Sequence, residues 1–362
     1  MLSVGIVGLP NVGKSTLFNA LTAGGAEVSN YPFTTIDPNL GMVPVPDPRL
    51  GELAGVLAPE KITPCAVRFI DIAGLVRGAS QGEGLGNQFL GEIRGVDAMA
   101  EVVRGFADPN VAHVLGEVDP LRDADIVETE LLLADLELVE RLMARREKDW
   151  ATHPREHADE RRRLTRYREV LGAGTPLLDL DLEAEERVQL KALGLLSGKP
   201  LLYVLNIAEE PARPAEEAWL EALAGRWPGA RTVAVAAQLE WELEQLEPAE
   251  RAEMRAGLGI SEPGRNRLIR SAFELLGLVC FFTIAKNKLQ AWEVTAGTRT
   301  PGAAGQVHTD MERGFIRAHV ARWDELVAHG GWHDLQRAGL LHTVGKDYQV
   351  RDGDVVEFLF NV

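Results

Sequence analysis

The residues best placed to do chemistry lie near the N-terminus, in Gly8-Leu9-Pro10-Asn11-Val12-Gly13-Lys14-Ser15. They fit G-x-x-x-x-G-K-[ST], the pattern of a phosphate-binding loop. Gly8 and Gly13 let the backbone curl so that successive N–H groups point inward at an anion. Val12, Gly13 and Thr16 line the same turn. Lys14 supplies a point charge for the β- and γ-phosphates, and the Ser15 hydroxyl suits Mg²⁺. A second cluster, Asp71-Ile72-Ala73-Gly74, follows an apolar run. An Asp at the carboxyl end of a strand is where the other Mg²⁺-directed group belongs. Gly74 would bring a backbone N–H to the γ-phosphate.

These groups need a frame. The apolar run 2–7 reads as a buried strand entering the loop, and 16–21 as the helix leaving it, whose N-terminus favours negative charge. Further strands read at 41–45, 66–70, around Val102 and Val103, at 201–205 and at 231–236. That alternation of strand and helix predicts an α/β nucleotide fold with a parallel sheet. Residues 30–39 are flanked by prolines and read as a loop. One hydroxyl of Thr34 and Thr35 there would complete a Mg²⁺ shell. Residues 78–87 carry too many glycines for a stable helix and read as a segment that responds to the γ-phosphate.

Leu75 stands where many such proteins place a Gln that orients the attacking water. Leucine has no atom for that task, so hydrolysis is slow or draws on another group. His113, in Asp108-Pro109-Asn110-Val111-Ala112-His113, is the candidate. Base recognition falls to Asn206-Ile207-Ala208-Glu209 and to Ala236-Ala237-Gln238. A guanine site normally carries Asn-Lys-x-Asp, whose Asp accepts from two guanine donors. With Ile207 and Glu209 in those places, the preference tilts away from guanine.

Between the strand at Val103 and that at 201–205 lie more residues than one crossover helix needs. Thr129, Leu132, Leu136, Val139 and Met143 form a narrow stripe on one helix. Leu164, Tyr167, Val170 and Leu171 begin another stripe, and Leu190, Leu193 and Leu196 a third. An inserted helical hairpin is the reading. After a helix at 262–276 the texture turns to short strands at 281–284, 292–295, 314–319, 344–350 and 355–360, a small α+β domain. The expected division is a nucleotide-binding domain at 1–120 and 200–277, an inserted helical domain at 121–199 and a C-terminal domain at 278–362.

The formal charge of −16 over 362 residues argues against a protein that coats nucleic acid non-specifically. Arg161, Arg162, Arg163, Arg166 and Arg168 nevertheless crowd one stretch. They read first as a solvated face and second as a contact for RNA phosphates. No apolar run reaches membrane-spanning length. Cys65 and Cys280 read as reduced core residues, which suits the cytoplasm.

With these motifs in place, the chain resembles the YchF-type, Obg-like P-loop ATPases, TRAFAC-class relatives of GTPases. The match runs through residues 8–22, 30–39, 71–76 and 78–87. It extends to Thr300-Pro301-Gly302 and Gly345-Lys346-Asp347-Tyr348 with Asp352-Gly353-Asp354. The resemblance implies a Ras-like nucleotide domain, an inserted antiparallel coiled coil and a C-terminal ubiquitin-like β-grasp (TGS) domain. It implies Mg²⁺-dependent hydrolysis of ATP in preference to GTP by a switch that meets the ribosome or rRNA through the coiled coil and TGS domain. Lys14, Gly74 and His113 take the catalytic roles, and Ser15, Thr35 and Asp71 the metal. Asn11, Thr35, Asn206, Ile207, Glu209, Ala236, Ala237 and Gln238 join the phosphate loop in holding the nucleotide. Asn11 matches an Asn that helps related proteins hold K⁺. A cytoplasmic monomer without membrane contact is expected. Two alternatives stay open: a GTP-specific Obg-type GTPase that uses Glu209, and a nucleotide-regulated scaffold with incidental hydrolysis.

Overall fold

The structure is a computed structural model, and it describes residues 1–23, 39–72, 74 and 85–361. The chain opens with strand β1 (Ser3–Val7), helix α1 (Lys14–Ala23) and β2 (Leu40–Pro44). An excursion follows through α2 (Pro48–Leu57) and β3 (Lys61–Thr63) before β4 (Ala66–Asp71), α3 (Leu85–Gly95) and β5 (Ala98–Arg104). Three helices come next, α4 (Pro120–Thr152), α5 (Ala158–Gly172) and α6 (Ala184–Ala192). The α/β alternation resumes with β6 (Leu201–Asn206), α7 (Pro214–Ala224), β7 (Arg231–Val235), α8 (Ala237–Leu243), α9 (Pro248–Gly257) and α10 (Gly264–Leu275). The remainder is β8 (Leu278–Ala285), β9 (Lys288–Thr295), α11 (Thr300–Val307), α12 (Thr309–Arg313) and β10 (Phe315–Arg322). It closes with α13 (Trp323–His329), α14 (Trp332–Ala338), β11 (His342–Val344) and β12 (Asp354–Phe360).

One sheet has the order β2-β4-β1-β5-β6-β7. Its pairs β4/β1, β1/β5, β5/β6 and β6/β7 are parallel. Every residue of β1, β5 and β6 is buried, as expected of parallel strands covered on both faces. The carboxyl ends of these strands lie side by side, so the loops that follow them converge.

The helical insertion starts at a firm cap. The Asp119 side chain accepts from the Arg122 N–H at 3.1 Å, with Pro120 in the first turn. The 33 residues of α4 span about 50 Å at the usual helical rise. Val139 and Trp150 of α4 pack with Leu164, Tyr167 and Leu171 of α5, and with Leu177, Leu182, Leu190 and Leu195. The α4 stripe differs from the sequence reading: Thr129 is exposed, and burial at the root runs through Ala124, Val127 and Leu131. There the helix rests on the nucleotide sheet, and only beyond does it turn its seam to α5. Leu193 and Leu196 lie past the end of α6, whose last helical residue is Ala192. Asp135 of α4 is fully buried and accepts from the Leu196 and Ser197 N–H groups and the Ser197 hydroxyl.

Compactness divides the chain differently from the expected boundaries. Arg68–Ser271 joins the N-terminal strand and helix in one unit, with the helical insertion included. Met42–Val67 joins Ala272–Val362 in the other. The reason is β3, which pairs in parallel with β9 from Lys61↔Lys288 to Thr63↔Gln290. A three-residue strand carries no usable sequence period. The second sheet has the order β11-β10-β12-β8-β9-β3 around Phe281, Val294, Phe315, Val320 and Val356. The strand expected at 344–350 is confined to His342–Val344, and the chain then turns. Cys65 and Cys280 are free and buried in this unit, with their sulfurs 3.1 Å apart.

Candidate nucleotide site

The phosphate loop takes the shape its glycines permit. Gly8 and Gly13 hold φ of 141° and 96°. A Cβ at Gly13 would come within 2.2 Å of Asn206 Nδ2, and one at Gly8 within 2.4 Å of the Val102 carbonyl. Both positions therefore demand glycine by conformation and by space. Lys14 opens α1 and is buried; its Nζ donates to the Leu9 carbonyl at 2.8 Å. Burial lowers its pKa to about 8, against the pull of Asp71. The Ser15 hydroxyl donates to Asp71 Oδ2 at 2.9 Å. A Cβ on Gly74 would sit 3.0 Å from Lys14 Nζ, so this glycine lies against the ammonium.

Asn206, at the end of β6, ties two loops together. Its Nδ2 donates to the Val12 carbonyl at 2.9 Å and its Oδ1 accepts from the Ala237 N–H at 3.1 Å. Ile207 is buried, and its N–H reaches the Val235 carbonyl at 3.0 Å. Glu209 and Gln238 are exposed, and Ala236 and Ala237 are buried. The sequence reading missed the next residue. Glu210 is buried and accepts from the Ala236 N–H at 3.2 Å, with the Arg267 guanidinium 3.4 Å from its other oxygen. It fixes the loop that presents Ala236 and Ala237. An acid next to an acid gave no signal in sequence.

His113 lies in the loop after β5, whose shape is set by Arg104. That buried guanidinium donates to the carbonyls of Phe106 and Val111, each at 3.0 Å, and stacks on the Phe106 ring at 4.5 Å. Asn11 Nδ2 donates to the Ala112 carbonyl at 3.2 Å, so this loop touches the phosphate loop. His113 Nε2 is 2.8 Å from Asp123 Oδ2, and its Nδ1 accepts from the Leu115 N–H at 3.0 Å. Asp123 was not anticipated. It stands in the first turn of α4, ten positions from His113.

The arrangement brings together Lys14, Ser15, Asp71, Gly74, Asn11, Val12, Gly13 and Asn206. Thr34, Thr35 and Leu75 lie outside the described residues, as does the stretch 78–84. Leu85, Gly86 and Asn87, read as part of a glycine-rich loop, belong instead to α3. Helical structure prevails there because the segment runs on into Phe89, Leu90 and Ile93, which are buried. The Ser15 hydroxyl and Asp71 carboxylate form a hard-oxygen donor pair of the kind Mg²⁺ takes.

A relative named "Ribosome-binding ATPase YchF" from Bacillus subtilis (strain 168) is 44% identical over 366 residues, covering 100% of both chains. The chain belongs to the YchF family. A relative of the same name from Escherichia coli O157:H7 is 44% identical over 360 residues, covering 99% of both chains. A solved structure, "Structure of the Schizosaccharomyces pombe YchF GTPase", superposes with a TM-score of 0.87 at 32% identity, covering 99% of this chain and 97% of that one. A family profile described as "50S ribosome-binding GTPase" matches residues 3–133. The profile YchF-GTPase_C, described as "Protein of unknown function (DUF933)", matches residues 278–361. The YchF fold and its C-terminal domain are thus both present in this chain.

Proposed function

We propose that the protein hydrolyses ATP, with Mg²⁺, at the loop Gly8–Ser15, and does so as a switch associated with the ribosome. The observation that carries the reading is the convergence of Lys14, Ser15 and Asp71: a buried ammonium beside a hydroxyl–carboxylate pair 2.9 Å apart. Bound Mg²⁺ would neutralise charge on the β- and γ-phosphates. Ser15 and Asp71, with Thr35, are the residues to hold it. Lys14 meets the phosphate oxygens, and the Gly74 N–H senses the γ-phosphate. His113 places the attacking water in the role that Leu75 cannot fill. Val12, Gly13 and Thr16 cradle the phosphates, and Asn206, Ile207, Glu209, Ala236, Ala237 and Gln238 flank the base.

ATP is favoured because buried Ile207 replaces the usual lysine and Glu209 replaces an aspartate whose reach fits guanine's two donors. The name of the bacterial relatives supports both ATP and the ribosome. The name of the yeast structure favours a second reading, GTP hydrolysis, in which the exposed carboxylate of Glu209 meets guanine. The helical insertion acts as an antiparallel coiled coil and residues 278–362 as a TGS domain. Both meet the ribosome, the first through exposed Arg161, Arg162 and Arg166. The protein works as a cytoplasmic monomer.

Steady-state phosphate release from ATP and GTP tests the enzyme class; ATP should turn over with the higher kcat/KM. Ribosome pelleting with ATP, ADP or no nucleotide tests the switch. Pelleting that ignores the nucleotide would favour a scaffold.

A further inference from the structure

His113 has no ring atom to spare in this structure. Its Nδ1 accepts from the Leu115 N–H at 3.0 Å, which puts the ring proton on Nε2, 2.8 Å from Asp123 Oδ2. The side chain is 4% exposed and that of Asp123 1%. Placing a water requires a lone pair or an N–H directed at the water. This ring offers neither while both contacts stand.

The two contacts come from different parts of the fold. Leu115 is in the histidine's own loop. Asp123 is in the first turn of α4, the helix that continues to Thr152. The residue before the histidine, Ala112, is held by Asn11 of the phosphate loop at 3.2 Å. Neighbouring residues are therefore gripped by the phosphate loop on one side and by the root of the helical arm on the other.

That root is held by a small set of polar contacts. Glu128, one turn beyond Asp123, accepts from the Tyr203 hydroxyl and from Arg226. Arg122 reaches the other Asp123 oxygen at 3.3 Å. On β5, Glu101 is completely buried, and neither carboxyl oxygen has a hydrogen-bond partner among the described residues. Its electrostatic neighbours are Glu128, Asp123 and Arg226. A buried carboxyl without a partner is a cost that the fold carries on β5.

We propose that Asp123 is a positioning residue that stores His113 in an unproductive pose, and that displacement of the α4 root by a load on the helical arm releases it for hydrolysis. The proposal rests on the reading of His113 as the group that places water. It turns the arm from a passive contact into the lever of the active site: a partner bound far along α4 acts on the histidine through one hydrogen bond.

The test is ATP turnover by the full chain carrying Asp123→Ala, Asp123→Asn, His113→Ala, or His113→Ala with Asp123→Ala. Asp123→Ala should raise kcat about tenfold, the population shift expected from losing one charge-assisted hydrogen bond, with KM unchanged. Asp123→Asn keeps an acceptor oxygen and should fall between. In the His113→Ala background Asp123→Ala should have no effect. Nitrogen-15 spectra of the imidazole should show the Nε2–H tautomer in the wild type and tautomer averaging in Asp123→Ala. An unchanged or lowered kcat in folded Asp123→Ala overturns the proposal, as does the same gain without His113. If Asp123→Ala fails to fold, Asp123→Asn and its ring spectrum decide. A normal rate in His113→Ala alone would instead sink the water-placing reading, and the ring spectrum would still report whether Asp123 holds the imidazole.

Discussion

At the ends of β1 and β4, Lys14 and Ser15 rest on partners that an incoming nucleotide and metal can replace. Lys14 lies on the Leu9 carbonyl of its own loop, and Ser15 on Asp71, the carboxylate that would share its cation. At the end of β5, His113 rests on Asp123, which belongs to another element and has no place in the phosphate site. The first region is assembled for binding. In the second, His113 is held by a side chain from outside the phosphate site. A switch needs that separation, because tight capture of a nucleotide must not commit it to hydrolysis.

The largest effect on the separation of the two regions is expected at Lys14. Lys14→Ala should weaken Mg·ATP binding by about a hundredfold or more, since a buried charge-assisted contact to phosphate is lost; equilibrium titration measures it. His113→Ala should do the reverse, lowering turnover about a hundredfold, the usual worth of a placed proton acceptor, with Kd unchanged. If His113→Ala weakened binding as much as it slowed turnover, the two regions would not be separate.

Acidity sharpens the same contrast. Burial lowers Lys14 to about 8, while phosphate binds only the ammonium. Affinity should hold below pH 8 and fall as pH rises, by about tenfold between pH 7 and pH 9. The smallest effect belongs to Glu101, whose pKa burial raises well above the ordinary carboxyl value. The folded chain keeps a proton that the unfolded chain releases, so the cost of Glu101 grows as pH rises above the unfolded value. Glu101→Gln should raise the melting temperature by about 2 °C at pH 8 and by less at pH 5. Equal gains at both would mean the carboxyl titrates normally.

The phosphate half was legible in the sequence because its chemistry is local. Gly8, Gly13, Lys14 and Ser15 lie within one turn, and Asp71 and Gly74 follow one apolar strand. The buried strand β6 showed as a continuous apolar run, whereas β5 showed only through Val102 and Val103, because Glu101 and Arg104 interrupt it. What stayed hidden depends on long-range pairing. Asp123 looks like any first-turn acid of a helix, and only the fold carries it to His113. Arg104 gave no sign that it builds the loop beneath that histidine. The strand β3 joins β9 across more than two hundred residues of sequence, and three residues hold no pattern to announce it. The root of α4 misled for a related reason: its first turns pack on the sheet and its later ones on α5, so no single helical stripe describes it.

The Lys14 loop should bind a nucleotide that the Asn206–Glu209 segment reads as adenine. Calorimetric titration of the purified chain with ATP and with GTP, in Mg²⁺, tests it most directly, with Lys14→Ala as the control. ATP should bind more tightly than GTP, and the heat should be lost in Lys14→Ala. Tighter binding of GTP would mean that Glu209 reaches the guanine edge, and unchanged binding by Lys14→Ala would mean that the nucleotide sits elsewhere.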